Sequence, residues 1–203
     1  MQVSTIVILT IGVAATWASA IPMNLARRDS VSCKAKYRGN LYSTYLSSLS
    51  DTSDISQRGF AIDKDDQNYL VDTWNYQGQF QFDECTTSGW NQSPKEFGQL
   101  KYVNLGDYKA VTAKPVASDK GHALHIQNAA SSNNGLLERQ WWYADWLNDK
   151  SGGEYVTLQL SGNPNDANQD YNLPNADIDY DGHVTATSSY TGFTYTLFDI
   201  TYP

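Results

Sequence analysis

Gly121-His122-Ala123-Leu124-His125-Ile126-Gln127 sets Leu124 and Ile126 at alternate positions with a polar residue between them. That is the period-2 pattern of a strand with one buried face. The same alternation occurs at Phe60 and Ile62, at Phe80 and Phe82, at Val156, Leu158 and Leu160, at Val184 and Ala186, and at Phe193, Tyr195 and Leu197. Clusters of Gly, Asn, Asp and Ser bound each run. Asp181-Gly182, between Ile178-Asp179-Tyr180 and Val184, reads as a tight hairpin turn. No helical stripe is sustained. Leu136 to Leu147 is the nearest approach to one, but its three Trp and the following Gly152-Gly153 suit strand and turn equally. The pattern predicts an all-β chain of about ten to twelve strands.

Working outward, three aromatic-rich strands stand at near-equal intervals: Phe80-Gln81-Phe82-Asp83, Gln140-Trp141-Trp142-Tyr143 and Leu197-Phe198-Asp199. Taking Phe82, Trp142 and Phe198 as equivalent implies three pseudo-repeats closing a threefold barrel. The 203 residues allow one such domain. Hydrophobic residues at 40% argue against disorder. A net charge of −8 disfavours nucleic acid as a partner, because neutralising phosphates takes an excess of Lys and Arg.

The chain starts with a short apolar run, Ile6 to Ala15, followed by Ala18-Ser19-Ala20. This reads as a signal peptide over 1–20 with a cleavage site at Ala20, and the run is too short for a membrane span. No membrane insertion is expected. Arg27-Arg28 looks like a dibasic processing site, which makes 21–28 a short propeptide cut after Arg28 and 29–203 the domain. The expected location is secreted and extracellular. Cys33 and Cys85 are the only cysteines, and in an oxidising compartment the default is one disulfide between them. Asn91-Gln92-Ser93 is the only sequon.

The middle of the chain carries a family likeness. Gly98-Gln99-Leu100, Tyr108-Lys109-Ala110-Val111-Thr112-Ala113, Gly121 to Gln127 and Gln140-Trp141-Trp142 together resemble one repeat of the ricin-B-type β-trefoil. Phe80-Gln81-Phe82-Asp83-Glu84-Cys85 ahead of Gly98-Gln99-Leu100 is similar to small fungal secreted proteins of that type, which have no settled activity. The resemblance covers about residues 78–145. It implies a single β-trefoil-like barrel in which Gln140 and Trp142 support the fold. It also implies where a galactose-binding repeat would hold its sugar. The Asp position falls near Thr112, the Gln near His125, the aromatic platform near Gln127 and the Asn near Arg139. None of the four matches, so no galactose binding is expected in this unit.

Other chemistry is sparse. Asp177, Asp179 and Asp181 with Gly182 begin like a calcium loop, but the twelfth position is Ser188, and a hairpin with solvated acids is the simpler reading. No metal or other cofactor is expected. No nucleophile elbow occurs, and the many acids give carboxylate pairs no special meaning. Trp74, Trp90 and Trp146 sit beside turn residues, where an aromatic face with nearby Asp and Asn suits a carbohydrate. Filling the barrel ends is their alternative role. The sequence thus predicts a non-catalytic secreted binding protein whose partner is a glycan, met through these rim aromatics. A protein-binding effector or protease inhibitor is the alternative, and a hydrolase comes third.

Overall fold

β1 (Ser32–Tyr45) organises the fold because it is long enough to serve three neighbours. Its first part runs antiparallel to β4 (Gln79–Thr86), its second part to β12 (Phe193–Thr201), and Tyr42 and Ser43 pair with β2 (Arg58–Asp63). Tyr37, Gly39, Leu41 and Ser43 are its buried alternate positions. Gly39 is a glycine because a Cβ there would lie 2.4 Å from the Phe198 carbonyl oxygen. The computed structural model describes residues 30–45, 58–63, 68–73, 78–90, 95–105, 109–148, 153–166 and 170–203. Ala20, Arg28, Trp74 and Asn91 lie outside the described residues.

The remaining strands are β3 (Tyr69–Thr73), β5 (Glu96–Tyr102), β6 (Lys109–Ser118), β7 (Gly121–Asn128), β8 (Trp142–Asn148), β9 (Glu154–Leu160), β10 (Asn175–Ile178) and β11 (Val184–Thr187). One helical turn, α1 (Gly135–Glu138), precedes β8, with the Asn134 side chain accepting from the Leu136 and Leu137 amides. The chain is all-β, as its alternation predicts. The segment 136–147 divides between this turn and β8.

The ladders close on themselves. A circuit through β1, β2, β3, β7, β6, β5, β8, β9 and β12 returns to β1, a nine-strand antiparallel barrel. β4 pairs with both β1 and β5, which shortens the circuit to β1, β4, β5, β8, β9 and β12. Closure leaves these strands no free edge for another chain to pair with.

Three cross-strand pairs fill the short circuit: Leu41 with Leu197, Phe82 with Leu100, and Trp142 with Leu160. All six side chains are fully buried. Each contributes on the order of 1.5–3 kcal/mol by leaving water. The inward residue of β12 is Leu197, as its alternation with Phe193 and Tyr195 predicts, so Leu197 and not Phe198 takes the inward place that Phe82 and Trp142 hold. Phe198 is half-buried and packs outside against Tyr42 and Tyr155. One residue of register turns a strand side chain to the opposite face.

Trp141 and Trp142 show the same rule. Both are fully buried, but Trp142 belongs to the barrel core and Trp141 to a second cluster with Cys85, Trp90, Phe97, Ala130 and Leu137. Gln140 ties the two layers together. Its Nε2 donates to Thr112 Oγ1 (2.7 Å) and the Asn128 carbonyl (2.9 Å), and its Oε1 accepts from the Ala130 amide (2.7 Å). Cys33 and Cys85 stand directly opposite in the β1–β4 ladder and form the expected disulfide, Cα atoms 4.0 Å apart.

Candidate functional site

The β6–β7 turn makes one wall of an open groove of about 590 Å³. Ser118 shapes the turn: its hydroxyl donates to the Gly121 carbonyl (2.8 Å) and accepts from the Lys120 amide (3.2 Å). Gly121 has φ +130°, and a Cβ there would stand 2.5 Å from the Ala186 carbonyl oxygen. Only glycine lets the turn approach β11 this closely. Pro115, Ala117, Ser118, Asp119 and His122 line this side.

The second wall is the last part of the segment between β9 and β10, with Asp170, Asn172 and Leu173 in the lining. Leu173 pins it, with its side chain buried and its amide donating to the Leu160 carbonyl at 2.8 Å. That anchor sets Asp170 and Asn172 into the groove. At the far end of the segment the Asn165 side-chain amide donates to the Gly89 carbonyl. The third side is Thr187, Ser188 and Ser189, where the Ser189 amide donates to Thr187 Oγ1 at 3.1 Å.

His122 is held in one orientation. Its Nδ1 lies 2.8 Å from the Lys114 carbonyl, which can only accept, so Nδ1 carries a proton and Nε2 is the ring's other polar atom. The Tyr171 ring lies 5.4 Å from it and is half-buried; burial raises its phenol pKa above the ordinary value. Asp119 and Asp170 are exposed, and neither meets a cation or a hydrogen-bond donor among the described residues. The groove therefore offers acceptors, hydroxyls, an amide and an adjacent ring.

The residues singled out from sequence fare differently. Trp90 is only 8% exposed, with its ring edge-on to Trp141 at 5.0 Å. It fills the second cluster and leaves little ring surface for a ligand, a correction to its reading as a rim platform. Trp146 is half-buried among Tyr37 (5.5 Å) and Tyr202 (6.2 Å), and with Lys95, Glu96, Tyr143 and Asp145 it lines a cleft of about 390 Å³. The Tyr37 hydroxyl donates to Glu96 at 2.8 Å, and Lys36 bridges Glu96 (2.7 Å) and Glu84 (3.0 Å).

Thr112 is fully buried and bonded to Gln140. Burial lowers the His125 pKa, and the Lys114 and Arg139 charges lower it further. The Lys114 ammonium sits 4.0 Å over the Tyr69 ring. Arg139 Nη1 donates to the Ala113 carbonyl at 3.4 Å.

The acidic hairpin forms as predicted, with Ile178 opposite Val184 and Gly182 at φ +84°. Asp179 Oδ1 accepts from the Asp181 amide (3.0 Å) and the His183 amide (2.9 Å), so the carboxylate builds the turn. Asp177 lies apart, 3.9 Å from Lys120. Ligand atoms of Asp179, Asp181 and His183 come within 4.8 Å of one another. Calcium takes six to eight oxygens. A set that contains an imidazole and lacks Asp177 does not fit the calcium loop suggested by the sequence.

No helix among the described residues is long and apolar enough to cross a membrane. No protein-family model matches the chain, and no curated protein matches it.

Proposed function

We propose that the protein is a secreted, non-catalytic β-trefoil that binds carbohydrate in the groove between the β6–β7 turn and the segment before β10. The trefoil reading draws support from the strand pairing. Within β1–β4, β5–β8 and β9–β12, the first strand of each set pairs with its last, and the middle two form a hairpin. Leu41, Leu100 and Leu160 recur 59 and then 60 positions apart at matching places in the core. The likeness of residues 78–145 to a ricin-B-type repeat agrees with this arrangement. The Cys33–Cys85 disulfide is compatible with an oxidising, extracellular setting.

One observation carries the ligand class. The groove's lining has hydrogen-bonding side chains on all three sides, with Tyr171 beside it. Vicinal hydroxyls need acceptors such as Asp119 and Asp170, and a sugar ring's C–H face needs an aromatic surface. Hydrolysis is less well served. A carboxyl acting as general acid near neutrality needs an apolar, desolvated setting, whereas Asp119 and Asp170 are exposed in an open groove. The Trp146 cleft, with Glu96, Asp145 and Tyr143 around one ring, favours a second carbohydrate contact there.

A glycan array of the secreted protein, repeated with a Tyr171→Ala, Asn172→Ala double variant and with Trp146→Ala, tests the assignment. Array signals should fall at least tenfold in the double variant. Signals that survive it but vanish in Trp146→Ala would move the site to the cleft. A blank array beside inhibition of a protease panel would replace carbohydrate with protein as the partner.

A further inference from the structure

We infer that the groove sorts saccharides by charge: it takes amino sugars in their ammonium form and turns away uronates. This rests on the carbohydrate reading of the same groove and adds the ligand's chemistry to it.

The described residues that line the groove include two carboxylates, Asp119 and Asp170, and no Lys or Arg. Three cations belong to neighbouring positions, and each is engaged elsewhere. The Lys114 ammonium lies over the Tyr69 ring at 4.0 Å, although its carbonyl holds His122. Arg139 acts on Tyr171 from outside the groove, while its guanidinium donates to the Ala113 and Gly135 carbonyls. Lys120, next to Asp119 in the chain, points its ammonium toward Asp177 at 3.9 Å. Asp119 and Asp170 have no ion-pair or hydrogen-bond partner among the described residues.

A ligand is then their natural counter-group. An ammonium can donate three hydrogen bonds and complete a charge pair with a carboxylate. The hydroxyls of Ser118, Ser188 and Ser189 and the Asn172 amide serve the neutral hydroxyls of the same sugar. A uronate carboxylate in the same place would face like charge, with no Lys or Arg among the described lining residues to offset it. The chain's net charge of −8 adds to that repulsion at longer range. Exposed ion pairs of this kind change affinity by about 1.4- to 5-fold each, so the sorting should be moderate and sensitive to salt.

The test is calorimetry at about 20 mM salt with glucosamine, N-acetylglucosamine and glucuronate oligomers of equal length. The amino oligomer should bind at least about threefold tighter than the acetylated one, and the uronate at least about threefold weaker. The spread should narrow to within about twofold at roughly 0.5 M salt, where the Debye length is only a few ångströms. It should narrow likewise in an Asp119→Asn, Asp170→Asn double variant. Equal binding of all three, or tightest binding of the uronate, overturns the charge sorting and leaves the carbohydrate reading standing. A spread that persists in the double variant assigns the effect to the overall acidity and overturns the groove's role. If none of the three binds, and the glycan array is blank, the carbohydrate reading falls and the sorting with it.

Discussion

The Gln140 layer and the groove both sit beside the β6–β7 hairpin, and they treat polar groups in opposite ways. At Gln140 every polar atom is buried and paired: Nε2 with Thr112 and Asn128, Oε1 with Ala130. In the groove, Asp119 and Asp170 are exposed and have no partner among the described residues. A buried polar group without a partner costs more than its bond returns, so a fold satisfies it internally. A polar group left to solvent costs the fold nothing and remains available to a ligand. The difference separates polar groups that the fold satisfies internally from polar groups that it leaves to solvent.

The largest effect should come from Trp142→Ala. The side chain is fully buried, paired with Leu160 and edge-on to Tyr195 at 5.3 Å. Removing it should cost about 3–5 kcal/mol in a denaturant titration, enough to threaten folding. A loss below about 1 kcal/mol would mean that this layer does not hold the barrel closed.

Gln140→Ala should follow, at about 1–3 kcal/mol, because it leaves the Ala130 amide without its acceptor and removes two bonds from the Asn128 and Thr112 side. The cost should be visible in the same titration, with faster hydrogen exchange at the Ala130 amide. If exchange there is unchanged, water has replaced the glutamine and the layer is less closed than its burial implies.

Asn172→Ala belongs at the bottom of the scale. The residue is exposed and lines the groove, so stability should stay within about 0.5 kcal/mol of the parent. A loss above 1 kcal/mol would make Asn172 part of the fold and blur the contrast between the two regions.

The two regions also differ in how far the sequence disclosed them. Leu124 and Ile126 gave away their strand because one face is apolar and the other polar. The role of Gln140 and Trp142 followed from the family likeness and holds in detail. β1 left a weaker trace, since two of its buried alternate positions are Gly39 and Ser43, neither of them a large apolar residue, and Gly39 is set by closeness of approach. Phe198 misled as a counterpart of Phe82 and Trp142, although the alternation of Phe193, Tyr195 and Leu197 had placed Leu197 on the inner face. Trp90 misled for another reason. Its neighbours Ser88 and Gly89 are turn residues, yet Phe97, Leu137 and Trp141 cover it from distant parts of the chain.

By itself, the sequence determined the local terms: the strand period, the hairpin at Asp181-Gly182, the all-β class, and the pairing of the two cysteines. Each depends on a residue and its near neighbours, or on there being no other choice. Only the tertiary structure decided which tryptophan is covered and where an open groove lies. The groove gathers residues drawn from 115–122, from 170–173 and from 187–189. No motif spans those segments, because barrel closure brings them together and β-strand periodicity carries no information about which surface remains uncovered.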